Sequence, residues 1–351
     1  MSRPPPIEKP MEPLRDPLEQ AHAAHVSGAL TEAEAMYRNI LAAAPDTAPA
    51  LVNLAAILAA SGRLEEASLL EARAYVQPPC DGKPHKILAT CHYRLGQFEQ
   101  AAECYRAWLA EEPDNEIARH HLAACSGQGV PDRAPDRYVA TLFDGMAEQF
   151  DHRLVSVLGY DGPGVMRSLL EGDIPTDRSR DILDAGCGTG LCGPVLAPMA
   201  RRLTGVDLSQ AMLEKARARG IYDRLIHAEL TAFLRNRPAG GDPTGFDLIV
   251  MADALIYFGD LGDLFDAVAG SLRPGGRFAF TLELLPQDDG TTPDFALLPS
   301  GRYAHSARHW RQRLVERGFR IRRNEAIVIR QEFCQPIHGA AVLAEIPAAS
   351  P

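Results

Sequence analysis

The sequence predicts an all-helical repeat array followed by an α/β domain with a mostly parallel sheet that helices cover on both faces. Three observations carry the prediction. Apolar residues in roughly the first 125 positions recur at three- and four-residue intervals, with almost no strand-like alternation, so that stretch is a series of amphipathic helices. Within it Gly28, Gly62 and Gly96 stand 34 residues apart, and Ala33, Ala67 and Ala101 keep the same period, as do Pro45, Pro79 and Pro113. After residue 136 short β-rich runs alternate with helical ones, which is the grammar of a parallel sheet.

Composition narrows what the chain does. At 351 residues, 46% hydrophobic and 23% charged, it is long enough for about two globular domains. No apolar run reaches the roughly 18 residues a membrane helix needs. The start, Met1-Ser2-Arg3-Pro4-Pro5-Pro6, lacks the apolar stretch of a signal peptide, so a cytoplasmic, membrane-free location is expected. The seven cysteines are odd in number, widely spaced and form no C-x-x-C pair, which suggests neither a disulfide framework nor a metal site. A net charge of −10 argues against tight, non-specific nucleic-acid binding. One local exception runs from Arg302 to Arg330, with nine arginines against Glu316 and Glu325. A solvated face is the plain reading of such a run, and an anionic substrate or partner is the alternative.

In the helical half each ladder has a mechanical role. The glycine permits a tight turn between two helices, the alanine lets them approach, and the proline ends the second helix. This pattern resembles the tetratricopeptide repeat, with three copies over about 14–47, 48–81 and 82–115 and a capping helix at 116–124 that closes a domain spanning 14–125. Ile40, Glu71 and Trp108 depart from the family pattern. The resemblance implies a concave groove lined by the first helix of each repeat. Arg15, His22, His25, Lys83, Lys86 and Tyr93 would then face a protein or peptide; docking on the neighbouring domain or on a second copy of the chain stays open.

Residues 126–136, Gly-, Pro- and Asp-containing without periodicity, are expected to form a linker. The α/β domain follows over 137–346, with strands expected near 181–185, 202–207, 223–228, 246–252 and 275–283 and an antiparallel pair near 319–330 and 337–346. After the first strand, Gly186, Gly188 and Gly190 let the backbone turn sharply and approach a ligand. The second strand ends at Asp207, where a carboxylate can accept ribose hydroxyls, and Ser209 caps the next helix. Two spacings compete, because Gly188, Gly190 and Gly193 also complete the dinucleotide pattern G-x-G-x-x-G. Asp184, an acid just before the loop, suits an ammonium group and suits a pyrophosphate poorly, and Pro194 sits awkwardly for a dinucleotide helix.

Taken together, these motifs resemble class I S-adenosylmethionine-dependent methyltransferases over about residues 137–346. The resemblance implies a Rossmann-like domain, a seven-stranded, mostly parallel sheet with an antiparallel last strand, and S-adenosyl-L-methionine as cofactor. Asp184 to Gly190 matches the family's first motif, Asp207 its ribose-binding acid, and Met212 and Leu213 its adenine-packing pair. Ala228-Glu229-Leu230 matches the third element, in which Glu229 would accept from the adenine amino group. Phe246 to Asp253 resembles the fourth strand, and Leu272-Arg273-Pro274-Gly275-Gly276 the turn into the fifth. Upstream, Phe143 to Asp151 resembles the helix with which many of these enzymes cover the cofactor; an ordinary amphipathic helix is the alternative.

Methyl transfer from a sulfonium needs an in-line nucleophile, exclusion of water and, for a weak nucleophile, removal of a proton. Ligands lie beyond the carboxyl ends of the strands in such sheets, so acceptor-side residues should come from 253–260 and 284–306. Candidates are Asp253, which is also counted with the cofactor-binding residues, and Tyr257, then Tyr303 and His305, with His305 a general base or a helix-capping residue and Glu283 a further base. Two other readings stay open: an interaction protein whose cofactor domain does no chemistry, and a nicotinamide-dependent enzyme. The sequence selects no acceptor atom among oxygen, nitrogen and carbon.

Overall fold

The computed structural model describes residues 16–152, 160–236, 245–286, 291–332 and 335–348. The chain divides into two compact units that part between Pro113 and Asp114.

The first unit is three helical hairpins: α1 (Pro17–Val26) with α2 (Leu30–Ala43), α3 (Ala48–Ala60) with α4 (Leu64–Tyr75), and α5 (His85–Arg94) with α6 (Phe98–Glu111). The second helix of each pair starts at residue 30, 64 or 98, in step with the glycine ladder. Gly28, Gly62 and Gly96 hold φ of +84°, +81° and +71°, a region that costs other residues dearly, so the turns need them. Ala33, Ala67 and Ala101, each three residues into the second helix of its pair, are buried. Polar links join successive hairpins: Arg38 on α2 reaches Glu66 on α4 at 2.6 Å, and Arg73 reaches Asp46 at 3.2 Å. Of the expected groove residues, His22 and Lys86 are exposed, His25 packs edge-on against Tyr37, and Tyr93 lies against Phe98. Lys83 corrects the expectation: its Nζ donates to the carbonyls of Tyr75 and Gln77 at 2.7 and 2.8 Å, so it caps the end of α4. Arg15 lies outside the described residues.

The second unit is a Rossmann-like α/β domain. Its strands are β1 (Arg180–Ala185), β2 (Ala200–Asp207), β3 (Arg224–His227), β4 (Phe246–Met251), β5 (Leu272–Leu284), β6 (Phe295–Leu297), β7 (Tyr303–His305), β8 (Arg320–Glu332) and β9 (Gln335–Glu345). Its helices are α7 (Glu116–Ser126), α8 (Asp136–Met146), α9 (Phe150–His152), α10 (Gly162–Leu170), α11 (Gly193–Leu196), α12 (Gln210–Ala218), α13 (Leu230–Arg235), α14 (Gly262–Ser271) and α15 (Ala307–Glu316). Five parallel strands run β3-β2-β1-β4-β5, and β9 joins β5 antiparallel with β8 beyond it. These are the seven strands the resemblance implies. The β6–β7 hairpin is additional: it pairs with the last residues of β5, Glu283 and Leu284, inside a segment expected to be loop.

Side chains alternate across the sheet as strand geometry requires. Ile182, Leu248, Val250, Ala279 and Leu343 join the core with Met166, Leu169 and Leu196 of α10 and α11. Leu183, Ile249, Met251, Phe278 and Phe280 join the opposite core with residues of α13, α14 and α15. Most of the arginine-rich run is consumed structurally. Arg323 donates to carbonyls of Ser168, Leu169 and Glu171, closing the end of α10, and Arg317 binds the Gly262 carbonyl and Asp266.

Two expected boundaries shift. The helix expected to cap the repeats, α7, falls within the second unit, where Ala118, His120, Ala123 and Ala124 are buried and His120 Nε2 bonds the Gly301 carbonyl at 2.9 Å. Residues 126–136 are not a free linker either. The Asp132 carbonyl accepts from the amides of Gly259 and Asp260, Ala134 N–H donates to the Tyr257 carbonyl, and Arg133 bridges Phe258. The reason is one of backbone pairing: the loop after β4 needs partners for its amides, and this extended segment supplies them.

Candidate active site

The site is built at the carboxyl end of β1. Asp184 is 2% exposed, and its Oδ2 accepts from the Tyr222 hydroxyl at 2.6 Å. Burial pushes its carboxyl up to about 7, against the opposing pull of the Tyr222 bond, and the nearby Asp207 charge adds to the rise. The chain then turns through Gly186, Gly188 and Gly190 at φ of +78°, +53° and +85°. The glycines do different work. A Cβ on Gly190 would stand 2.9 Å from Tyr222 Cε2, and one on Gly193 would meet the same ring at 3.1 Å, whereas Gly188 has open space above it. The tyrosine ring therefore fills the place that Gly193 would have to offer a dinucleotide, and of these loop glycines only Gly188 leaves room beside its backbone.

Asp207, closing β2, fixes the loop. Its Oδ2 accepts from Gly188 N–H and its Oδ1 from Ser209 N–H, both at 2.8 Å. Burial raises its carboxyl, and those amides oppose the rise. Each oxygen keeps a second lone pair for a hydroxyl donor. Ser209 caps α12, on which Met212 and Leu213 are buried. Glu229 caps α13: its oxygens accept from Thr231 and Ala232 N–H at 2.9 and 2.7 Å, and Arg133 lies 3.5 Å away. The adenine-amino role expected of Glu229 therefore shares the carboxylate with a capping role, and Leu230 begins the helix just behind it.

Residues 143–151 clasp this assembly. The Asp144 carboxylate accepts from the Ser209 hydroxyl at 2.5 Å, and Asp151 accepts from the Thr189 hydroxyl and pairs with Arg219, each at 2.5 Å. Arg219 also donates to the Thr189 carbonyl at 2.6 Å, and Lys215 reaches Glu148 at 2.6 Å. Both acids of the covering motif thus hold the glycine loop and the helix after β2.

Beyond β4, Asp253 has φ +57°, and its amide donates to the buried Thr281 hydroxyl at 2.8 Å. Glu283, near the end of β5, and Arg330, from β8, are each 2% exposed and ion-paired to each other. Burial raises the Glu283 carboxyl, and Arg330 and Arg302 oppose the rise. Tyr257, buried, lies edge-on to Phe143, and burial raises its hydroxyl against the opposing charge of Arg302.

Two expected catalytic residues are corrected here. The Tyr303 hydroxyl donates to the Pro131 carbonyl at 2.8 Å in a fully buried setting, an anchor for the segment before α8. His305 is also fully buried, its ring stacked on His309 and near Phe295, and burial lowers it to about 3. A group that resists protonation so strongly is a poor proton acceptor at neutral pH. Capping at this point falls to Ser306, whose hydroxyl accepts from His309 N–H. Tyr222, Tyr160, Arg219 and the Arg330 pairing with Glu283 escaped the sequence reading. Only their position in three dimensions marks them, although a tyrosine two residues before β3 gave a faint signal.

The strand order, the acid-led glycine loop and the second acid at the end of β2 define a Rossmann-like α/β domain. Residues 183–278 match the sequence model of a family described as a methyltransferase domain. Methyltransferase-like protein 27 of Homo sapiens is 31% identical over 149 residues, 42% of this chain and 58% of that protein. The biotin biosynthesis bifunctional protein BioHC of Saccharophagus degradans is 30% identical over 105 residues, 30% of this chain and 18% of that one. Aklanonic acid methyltransferase DauC of Streptomyces sp. strain C5 is 28% identical over 218 residues, 58% of this chain and 94% of its own length. The chain therefore spans less than two thirds of the first two of these relatives.

Proposed function

We propose that the protein is an S-adenosylmethionine-dependent methyltransferase of the cytoplasm. The observation that carries this is Asp184: a buried carboxylate that accepts from the Tyr222 hydroxyl, at the head of a loop in which Gly188 has open space beside it. Such a group fits an ammonium. Asp207 would accept the ribose hydroxyls, and Met212, Glu229 and Leu230 would border the adenine. The bound cofactor supplies an electrophilic methyl on sulfur. The chain's own part is to orient it through these contacts, to exclude water with residues 143–151, and to hold the acceptor near Asp253 and Tyr257.

Calorimetry tests the cofactor. S-Adenosylmethionine and its demethylated product should bind saturably and NAD should give no heat, with Asp207→Ala weakening binding at least ~10-fold through loss of charge-assisted bonds. Unchanged affinity in that variant sinks the ribose assignment. Transfer of a radiolabelled methyl group to a cell extract tests turnover; binding without transfer would favour a non-catalytic, interaction-based role.

We infer further that the helical hairpins are tetratricopeptide repeats that bind a protein partner or substrate, or mediate assembly, with His22, His25, Lys86 and Tyr93 as groove residues. The 34-residue register of turn glycines, buried alanines and helix starts supports this reading. Loss of protein labelling when Lys86 and His22 are both changed to Glu, with cofactor affinity intact, would support substrate capture; unchanged labelling would leave assembly.

A further inference from the structure

Beyond the carboxyl ends of β4 and β5 lies a cluster of charges that folding alone does not favour. The Arg330 and Glu283 side chains are 1% and 2% exposed, and taking such a pair out of water costs more than its attraction reliably returns. Position suggests their use. Arg330's other terminal nitrogen lies 3.4 Å from Asp253, whose side chain is 18% exposed and whose φ of +57° is rare outside glycine. β4 runs beside β1 with Val250 opposite Asp184, so the cluster that begins at Asp253 borders the carboxylate assigned to the cofactor's ammonium, and the charges of both acids bear on the buried Tyr160. The charge of Arg302, half-buried, bears on both Tyr257 and Glu283.

We propose that this cluster is the acceptor site and that the methyl acceptor is a small carboxylic acid whose carboxylate is held by Arg302 and Arg330. The proposal rests on the methyltransferase reading above. Strong charge-assisted bonds close to about 2.7–2.9 Å, so the 3.4 Å contact with Asp253 is a long one, and a carboxylate entering beside Asp253 can approach the same guanidinium nitrogen. Glu283 keeps Arg330 aimed from the buried side. A guanidinium fork matches the plane of a carboxylate, and the partial exposure of Arg302 gives the acid a way in. Asp253 and Glu283 already balance the two arginines, and the acceptor's own negative charge then offsets the sulfonium beside it.

The test uses the full chain, radiolabelled S-adenosylmethionine and the small-molecule filtrate of a cell extract. One portion of the filtrate has its carboxylates converted to methylamides with a carbodiimide, and another is treated with phosphatase. Transfer should fall at least ~10-fold after amidation and persist after phosphatase treatment. Arg302→Met should lose transfer to the same degree while cofactor binding by calorimetry stays within about twofold, and Arg302→Lys should recover part of it. Transfer that survives amidation, an Arg302→Met variant as active as the parent, or label found only in macromolecules overturns the carboxylic acid site. Loss after phosphatase treatment assigns a phosphate and overturns it as well. A parent protein that binds no S-adenosylmethionine instead overturns the reading beneath it.

Discussion

Asp184 gives the most direct link between a single side chain and a measurable property. With its carboxyl pushed up to about 7 from an unfolded value of 3.8, the folded chain holds a proton that the unfolded chain has released. This group's contribution to stability is therefore full at pH below about 4 and is lost as pH rises through about 7. Cofactor binding should run the other way, tightening over the same interval as the carboxylate ionises to meet an ammonium. Tyr222→Phe removes a bond that favours the charged form, so calorimetry across pH 5–9 should show the midpoint moving upward; a midpoint that does not move rules out Asp184 as the group responsible. The buried pairing of Glu283 with Arg330 makes a second prediction. Glu283→Gln removes the buried counter-charge closest to the Arg330 guanidinium, leaving the longer contact with Asp253, and should cost up to roughly 3–5 kcal/mol, while Glu283→Met combined with Arg330→Met should restore most of it. Urea unfolding followed through Trp310 in a Trp108→Phe background reads this, and equal losses in the single and double variants would contradict it. The sequence announced Asp184 and Asp207 because both stand at the carboxyl ends of strands, 23 residues apart. It was silent on Tyr222 and Arg330, whose roles depend on which distant strand lies beside them.

Among the elements, strands were legible because their side chains alternate between two cores, and the helical hairpins because their glycines and alanines keep one period. The β6–β7 hairpin was not legible: six residues in two strands give too little alternation, and their pairing depends on the overhang of β5 beyond β4. His305 and Tyr303 looked catalytic for the same reason, since a polar cluster in an assumed loop reads as functional when in fact it is buried in a sheet extension. The segment 143–151 was legible as a motif, and its two aspartates now have partners. Asp151 ties it to both Thr189 and Arg219. Asp151→Ala should leave the fold intact, because the carboxylate is about half exposed, yet let the segment open more readily. We expect faster cofactor release, about 3–10-fold in stopped-flow displacement, with a smaller change in the association rate. A variant with the parent's release rate would show that the segment does not gate the site.

At the scale of the whole molecule, the informative disagreement concerns where the second unit begins. Composition puts the break at 126–136, because that stretch lacks periodicity and is rich in Gly, Pro and Asp. Those same features suit an extended strand that lends its carbonyls and amides to the loop after β4, a use that only long-range pairing reveals. The helix before it, α7, has buried alanines and is bonded through His120 to Gly301, so its helical period signalled a helix but could not say which unit it serves. Truncation separates the two boundaries. A fragment of residues 114–351 keeps every one of these contacts and should unfold cooperatively with the cofactor affinity of the full chain. A fragment starting at Ser126 removes α7, exposes apolar surface around Tyr138 and leaves the Gly301 carbonyl without its histidine. Losing several buried side chains and one buried hydrogen bond amounts to several kcal/mol, enough to lower the melting temperature by roughly 10 °C or more for a domain of this size. Equal melting temperatures for the two fragments would return α7 to the helical array and place the boundary where composition first put it.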